Sequence, residues 1–177
     1  PTPPRHPRRK PSAGTLMEDF TLVPVPPEWW RKIADFDLEN FGIDAWSTRM
    51  WELELRGQGR TYLALVTQPG PIRTEGALVG VGGISHGPEA ELLTIAVSEH
   101  LRERGLGREL LRALLAIARS HSAEAVFLEV RASDAGAQRF YQREGFEPVG
   151  LRKKYYRNDD AVVMKLELAG RRREKTE

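Results

Sequence analysis

Residues 91–130 read ELLTIAVSEHLRERGLGRELLRALLAIARSHSAEAVFLEV, and they carry the clearest pattern of secondary structure. Leu92–Val97 and Val126–Val130 are apolar runs of strand length. Between them, apolar residues recur at the spacing of one helix face within 107–120, at Leu110, Leu111, Leu114, Leu115 and Ala118. If the two strands lie parallel in one sheet, the helix between them makes a right-handed crossover. The stretch therefore predicts a strand–helix–strand unit.

Further elements are predicted on both sides of this unit. Upstream, the pattern indicates strands at 20–25, 61–67 and 77–85 and helices at 29–40 and 45–56. Downstream, it indicates a helix at 134–143 and strands at 146–150 and 161–168. The order β-α-α-β-β-β-α-β-α-β-β contains no internal repeat. It predicts one α/β (α+β) domain with a mixed sheet of about seven strands and about four helices.

Composition excludes several classes of protein. The chain has 177 residues, a length that fits one domain or at most two very small ones. It contains no cysteine, which excludes disulfides, a thiolate nucleophile and cysteine-based zinc sites. No apolar run approaches the roughly 20 residues of a membrane span. The histidines His6, His86, His100 and His121 show no metal-ligand spacing, so we expect no metal.

The positive charge belongs to the ends of the chain. The net charge is +2, of which residues 1–16 carry +4 and residues 171–177 carry +2, so the residues between them carry −4. An acidic body is a poor surface for nucleic acid, because phosphate binding needs clustered Lys and Arg. We therefore expect no nucleic-acid binding by the folded body. Contact of the tails with RNA or ribosomes is the alternative to simple solvation.

Domain boundaries follow from the same composition. Residues 1–16 hold five prolines and little to bury, which predicts a disordered tail without the apolar core of a signal peptide. Met17 is a candidate natural start, which would make these residues an added leader. We expect the folded domain at 17–169 and a disordered basic tail at 170–177.

A glycine loop connects the predicted strand at 92–97 to the predicted helix at 107–120. Arg102 to Arg108 read RERGLGR, and the two glycines allow the backbone to turn so that successive N–H groups point at one spot. The helix that follows adds its positive N-terminal dipole, and together they suit a pyrophosphate. The loop is neither a Walker A motif nor a GxGxxG motif. The alternative is a strand-to-helix turn with no ligand.

This loop and helix resemble the acyl-CoA signature of the GNAT acetyltransferase superfamily. More specifically, other stretches resemble the RimI type, the bacterial ribosomal-protein-alanine N-acetyltransferases: ELLTIAV (91–97), LEVRASD (128–134), Ala137, Phe140-Tyr141, Gly145-Phe146, Tyr155-Tyr156 and DAVVM (160–164). The resemblance covers 76–168, is weaker over 20–75 and is absent from both tails. It implies a GNAT-like domain with a mostly antiparallel sheet and an acetyl-CoA-dependent N-acetyltransferase.

The resemblance also assigns the acetyl-CoA contacts. It implies an oxyanion site on the strand backbone near Ile95, Ala96 and Val97. It implies binding of the CoA pyrophosphate by the loop residues Glu103, Arg104, Gly105, Leu106, Gly107 and Arg108. Asp134 stands where the family usually has an asparagine that contacts the CoA arm. Aspartate can still cap the next helix, but it lacks the amide donor and adds a charge near an anionic ligand.

Two side chains are candidates for proton transfer. Glu129 interrupts a strand that is otherwise apolar and that we expect to be buried on both faces, where an unpaired carboxylate is costly. The resemblance makes it the general base, and the alternative is an ion pair with Arg131 or Arg152. The resemblance makes Tyr141 the general acid that protonates the CoA thiolate, and the alternative is a core tyrosine beside Phe140.

The acceptor side is predicted less sharply. We expect Tyr155 and Tyr156 in the turn between the last two strands, where the family holds the backbone of the acceptor peptide. The alternative is an exposed aromatic hairpin tip. Phe41 and Trp46 are candidates for the opposite wall, although core packing is the favoured use of both aromatic rings.

Direct attack of an amine on the thioester is the implied chemistry. An α-amine, with a pKa of about 7.7–8.0, is neutral more often near pH 7 than a lysine near 10.4. A single glutamate acting through water suits that easier deprotonation. The leading hypothesis is a cytoplasmic N-terminal protein acetyltransferase that acts on a ribosomal protein with N-terminal alanine. A lysine or small-amine acetyltransferase and a non-catalytic acyl-CoA-binding module are the alternatives.

Overall fold

The computed structural model describes residues 17–71 and 75–168, which form seven strands, four α-helices and four short 3-10 helices. The strands are β1 (Phe20–Pro24), β2 (Arg60–Thr67), β3 (Leu78–Ser85), β4 (Glu89–Val97), β5 (Ala125–Arg131), β6 (Glu147–Tyr156) and β7 (Asp159–Glu167). The α-helices are α1 (Trp30–Phe41), α2 (Thr48–Arg56), α3 (Leu106–Ser120) and α4 (Ala135–Arg143). None of the helices in the described ranges is long and apolar enough to cross a lipid bilayer.

One sheet carries all seven strands in the order β1-β2-β3-β4-β5-β7-β6. Every neighbouring pair is antiparallel except β4 and β5, which are parallel and connected through α3. The apolar side of α3 packs on the sheet in one core cluster, which includes Ile84 of β3, Leu92 of β4 and Val126 of β5. A separate cluster packs α1 and α2 on β2, β3 and β4. The predicted single mixed α/β domain is confirmed.

All eleven predicted helices and strands are present, with three corrections. The second helix begins at Thr48 and not at 45, because the Ser47 hydroxyl accepts a hydrogen bond from the Met50 amide and caps the helix there. β6 continues to Tyr156 and does not end at 150, so Tyr155 and Tyr156 lie at the end of a strand and not in a turn. The third correction concerns β5, whose residues alternate between fully and partly buried, so it is not buried on both faces. The predicted tails at 1–16 and 170–177 lie outside the described residues.

A gap opens between the two parallel strands. β4 pairs with β5 only from Glu89 to Glu91, opposite Ala125 to Phe127. Beyond that point β4 stays paired with β3 as far as Val97, and β5 stays paired with β7 as far as Arg131. The register of β3 and β4 shifts by one residue at Leu93, and such a bulge bends a strand and increases its twist. β4 and β5 therefore diverge towards their carboxyl ends.

A buried carboxylate anchors the connection between α1 and α2. Asp37 is the one charged side chain among the described residues that is classed as buried, and its Oδ2 accepts hydrogen bonds from the Trp46 amide (2.8 Å) and the Trp51 indole (2.9 Å). Burial raises the pKa of Asp37, while these two hydrogen bonds act in the opposite direction. The connection, which includes the 3-10 helix Gly42–Asp44, is thereby tied to the core at both ends.

Candidate active site

The gap between β4 and β5 exposes backbone amides. The Ser98 amide donates to the Val79 carbonyl at 2.8 Å, which orients Ala96 and Ser98 towards β3. By the alternation of a strand, Ile95 and Val97 face the gap, and the Val97 carbonyl accepts from Arg102 Nε there at 3.0 Å. Of the three predicted oxyanion residues, Ile95 and Val97 therefore direct their amides into the gap. Ala96 does not.

The glycine loop opens α3 beside the same gap. Gly105 is the N-cap residue in a left-handed conformation (φ 86°), and Glu103 is also left-handed (φ 61°). The amides of the first turn of α3, at Leu106, Gly107 and Arg108, have no partner within the helix, and Gly105 has no side chain that could cap them. Arg104 is exposed nearby, while Arg108 pairs with Glu144 at 2.9 Å. These groups suit a polyanion such as a pyrophosphate.

The helix α4 carries two predicted site residues. Asp134 caps α4, since its Oδ1 accepts from the Ala137 amide at 2.9 Å, which confirms the predicted cap. Tyr141 packs edge-on against Phe140 and Phe146, with ring centroids 5.2 and 5.7 Å away. Burial raises the pKa of Tyr141, and Tyr156 and Asp134 raise it further. Its hydroxyl therefore stays protonated across the neutral range.

Glu129 lies in a cleft at the divergent end of the gap. Its side chain is 14% exposed, and its Oε1 lies 3.3 Å from Arg152 Nε of β6, whose own side chain is 60% exposed. The Tyr156 hydroxyl donates to the Glu129 backbone carbonyl at 3.3 Å. The ion pair that the sequence left open is thus present, and it is formed with Arg152 and not with Arg131. Because the Arg152 side chain is largely exposed, the ion pair lies at the protein surface, and the Glu129 carboxylate is only half-buried.

A second carboxylate, that of the exposed Glu91, lies on the neighbouring strand opposite Phe127 and on the same sheet face as Glu129. Burial raises the pKa of Glu91, the Glu129 carboxylate raises it further, and Arg152 acts in the opposite direction. Contact with the Glu129 carboxylate, together with burial, raises the pKa of Tyr155 to about 12. The cleft thus gathers side chains from β4, β5 and β6, and no pattern within any one of these strands predicts that they meet.

The aromatic side chains divide between the cleft and the core. Tyr155 is 49% exposed and stacks edge-on with Tyr156 at 5.1 Å. Phe41 is 40% exposed, and it lines a small cavity together with Thr94 and Ala96 of β4. Trp46 packs against Trp51 at 4.9 Å, in the cluster beneath α1 and α2. Core packing is confirmed for Trp46, whereas Phe41 is exposed at the end of α1.

Sequence reasoning named Arg131 only as a candidate partner of Glu129 and missed the contacts that it makes. Arg131 donates to Asp44 in the 42–44 helix and to Asn158 beyond the end of β6. It follows Glu129 by two residues, and that spacing places both side chains on one face of a strand. This spacing could have indicated that Arg131 lies near Glu129, but nothing in the sequence identifies Asp44 and Asn158 as the partners of Arg131.

Comparison with known protein families finds one match over most of the chain. The model described as Acetyltransferase (GNAT) family matches residues 27–146. This range contains the diverging strands, the glycine loop, Glu129 and Tyr141.

Individual relatives agree with the family match. The chain is 36% identical over 143 residues to N-alpha-acetyltransferase RimI of Mycobacterium tuberculosis, which covers 76% of this chain and 84% of that enzyme. It is 38% identical over 85 residues to the [ribosomal protein bS18]-alanine N-acetyltransferase of Salmonella typhimurium, covering 46% of this chain and 57% of that enzyme. The crystal structure of the ribosomal-protein-S18-alanine N-acetyltransferase from Escherichia coli superposes with a TM-score of 0.72 at 26% identity, covering 86% of this chain and 97% of that one.

Proposed function

Because the chain belongs to the GNAT acetyltransferase family, we propose that it transfers the acetyl group of acetyl-CoA to the α-amine at the N-terminus of a protein. The half-buried Glu129 carboxylate, at the point where β4 and β5 diverge, is the observation that carries this proposal. It is a proton acceptor beside a gap into which the Ile95 and Val97 amides point. The relative named N-alpha-acetyltransferase RimI supports the α-amine as the acceptor.

Acetyl-CoA enters this proposal as the acetyl donor. The free amides of the first turn of α3 and the left-handed Gly105 suit its pyrophosphate. The Ile95 and Val97 amides suit the thioester carbonyl, whose oxygen gains negative charge when the amine attacks. Asp134 uses its carboxylate to cap α4, so its contact with the CoA arm remains a prediction.

The proton transfers are assigned to Glu129 and Tyr141. Glu129 takes a proton from the ammonium form of the acceptor through a water molecule, which leaves the amine lone pair free to attack the carbonyl carbon. The C–S bond then breaks, and Tyr141 gives its hydroxyl proton to the sulfur that leaves. The nitrogen, which became positively charged on attack, loses its second proton to water, and Tyr141 regains a proton from water. Tyr141 carries its proton near pH 7, but burial raises its pKa and so makes it a weaker acid, and its donation therefore has to accompany the build-up of charge on the leaving sulfur.

The ease of deprotonation favours an α-amine over a lysine. A lysine near pKa 10.4 lies about 3.4 units above pH 7, which costs roughly 4.6 kcal/mol at about 1.36 kcal/mol per unit. An α-amine near 7.7–8.0 costs about 1–1.4 kcal/mol by the same arithmetic. Glu129 is the one carboxylate that we assign to this task. Tyr155, which contacts Glu129, and Phe41, at the end of α1, are exposed aromatic side chains that suit a peptide better than a small amine.

A ribosomal protein with N-terminal alanine is the acceptor that we favour. Two relatives carry names that state this activity, one from Salmonella typhimurium and one from Escherichia coli. Such an acceptor implies a cytoplasmic enzyme, because ribosomal proteins are synthesised and assembled there.

A matched set of peptides tests the acceptor. We expect rapid acetylation of a peptide that begins with Ala and carries an internal lysine. Blocking its N-terminus should abolish turnover although the lysine remains, whereas replacing the lysine by glutamine should change little. Mass spectrometry after reaction with acetyl-CoA identifies the modified amine. Equal acetylation of the blocked peptide would favour the lysine alternative, and failure of every amine would favour the non-catalytic module.

The donor site is tested at Gly107. Its φ is not left-handed, and an added Cβ would meet only Phe140 at 3.8 Å, so the fold does not require glycine there. We therefore expect Gly107→Leu to keep the melting temperature while it lowers acetyl-CoA affinity about tenfold or more, because bulk at this turn keeps an anion away from the amides. Calorimetric titration measures the affinity. Ala116→Leu, on the exposed side of the same helix, is the matched control and should bind normally. Unchanged affinity in Gly107→Leu would remove the pyrophosphate from this loop.

A further inference from the structure

Arg131 is the last residue of β5, and its guanidinium makes contacts in several directions. Its Nε donates to Asp44 Oδ2 at 2.8 Å, and its Nη2 reaches the same oxygen. Its Nη1 donates to Asn158 Oδ1 at 2.8 Å and lies 4.0 Å from Asp159. The guanidinium carbon also lies 4.5 Å from the centre of the Tyr156 ring. Three of its nitrogens thus donate hydrogen bonds to two separate segments of the chain.

We take these two segments as the two walls of the cleft beside Glu129, because Arg131, which contacts both of them, lies two residues from Glu129 on the same face of β5. Asp44 belongs to the connection between α1 and α2, which follows the exposed Phe41. Tyr156, Asn158 and Asp159 belong to the hairpin of β6 and β7, which also presents Tyr155 to Glu129. Within residues 17–71 and 75–168, Arg131 is the one residue whose side chain makes hydrogen bonds or ion pairs with both the 42–44 helix and the β6–β7 hairpin.

The ion pair between Arg131 and Asp44 is expected to stabilise the contact between β5 and the 42–44 helix. The Arg131 and Asp44 side chains are 22% and 25% exposed, so their ion pair is partly shielded from water. Charge-assisted contacts of this kind are stronger than neutral hydrogen bonds, and a guanidinium holds them at fixed angles. Asp44 also raises the pKa of Arg131, which therefore keeps its charge.

We propose that Arg131 is a positioning residue that sets the spacing of the two walls of the acceptor cleft. It acts through Asp44 and the hairpin, and it touches no reacting atom. The inference rests on the proposed function in one respect, since the walls are taken to hold an acceptor peptide. Loss of Arg131 then impairs peptide binding more than it impairs the chemical step.

Substitution of Arg131 and Asp44 separates positioning from general stability. For an alanine-initiated peptide of about ten residues, we expect Arg131→Gln to raise KM about tenfold, with kcat reduced less than threefold and acetyl-CoA affinity unchanged. Arg131→Lys should show an intermediate KM, because one ammonium cannot reach both walls. Asp44→Asn should act in the same direction as Arg131→Gln, and the double variant should be less impaired than the product of the two single effects. If Arg131→Gln does not fold, the KM comparison is made with Arg131→Lys and Asp44→Asn.

Hydrogen exchange gives a readout that needs no substrate. We expect Arg131→Gln to speed amide exchange in both walls, at 42–47 and 155–160, while the amides of α3 keep their protection. Arg112→Gln, an exposed arginine of α3, is the matched control and should change neither exchange nor KM. Unchanged exchange in the walls, or a kcat loss with unchanged peptide KM, overturns the proposal. If the wild-type protein acetylates no free α-amine, the proposed function fails instead, and the exchange data still decide the role of Arg131.

Discussion

Glu129→Gln should lower kcat by about 10²–10⁴-fold while acetyl-CoA affinity stays within about twofold of wild type. Glutamine keeps the shape of the side chain and leaves Arg152 an oxygen acceptor, but it cannot accept a proton from the acceptor amine. Steady-state kinetics with the alanine-initiated peptide measure kcat, and calorimetry measures acetyl-CoA binding. The wild-type rate should rise with pH until the amine or the base is fully deprotonated.

Substitution of two carboxylates of the neighbouring strand β4 shows whether the effect is specific to Glu129. Glu89→Gln is the control, because Glu89 is exposed at the paired end of the strands, and kcat should be unchanged. Glu91→Gln removes the carboxylate that lies on the same sheet face as Glu129, and we expect a smaller loss than in Glu129→Gln. Near wild-type kcat in Glu129→Gln, or an equal loss in Glu91→Gln, would show that the base is assigned wrongly.

Tyr141→Phe should lower kcat by about 10²-fold or more, because the departing thiolate then has no proton donor. The change removes only the hydroxyl, and the ring keeps its contacts with Phe140 and Phe146. The melting temperature and acetyl-CoA affinity should therefore stay close to wild type. Stopped-flow detection of free thiol measures the release of CoA in a single turnover.

A second buried tyrosine provides the control for this substitution. The Tyr62 hydroxyl donates to Glu54 at 2.7 Å in the cluster beneath α1 and α2. Tyr62→Phe loses that hydrogen bond, so it should lower stability modestly and leave kcat unchanged. If Tyr141→Phe turns over as fast as wild type, Tyr141 has only the packing role that the sequence offered as the alternative.

Local chemistry made most of the fold predictable. The helix-face spacing of Leu110, Leu111 and Leu114 and the apolar strand runs depend on residues close together in the chain, so each element is visible in isolation. The cap at Asp134 is also local, since the side chain bonds an amide three residues ahead. The exceptions were β6 and the start of α2, where partners elsewhere or the exact capping residue decide the boundary.

The candidate site was only partly predictable. An isolated carboxylate in an apolar strand identifies Glu129 from sequence, and the glycines identify the turn into α3. The choice of Arg152 over Arg131 as the partner of Glu129 was not visible, because both arginines are close candidates in sequence. The sequence also did not show that the Ala96 amide points away from the gap, because this orientation depends on the register of β4 against β3.

By itself, then, the sequence determined the elements, their order and the identity of the polar residue in β5, because each depends on short-range periodicity and on the cost of burying charge. Only the tertiary structure decided that β4 and β5 diverge, that Glu91 lies on the same sheet face as Glu129, and that Arg131 links Asp44 to Asn158, 87 and 27 residues away in the chain. Contacts at such separations follow from strand order and register, and these are set by packing of the whole sheet against α1, α2 and α3.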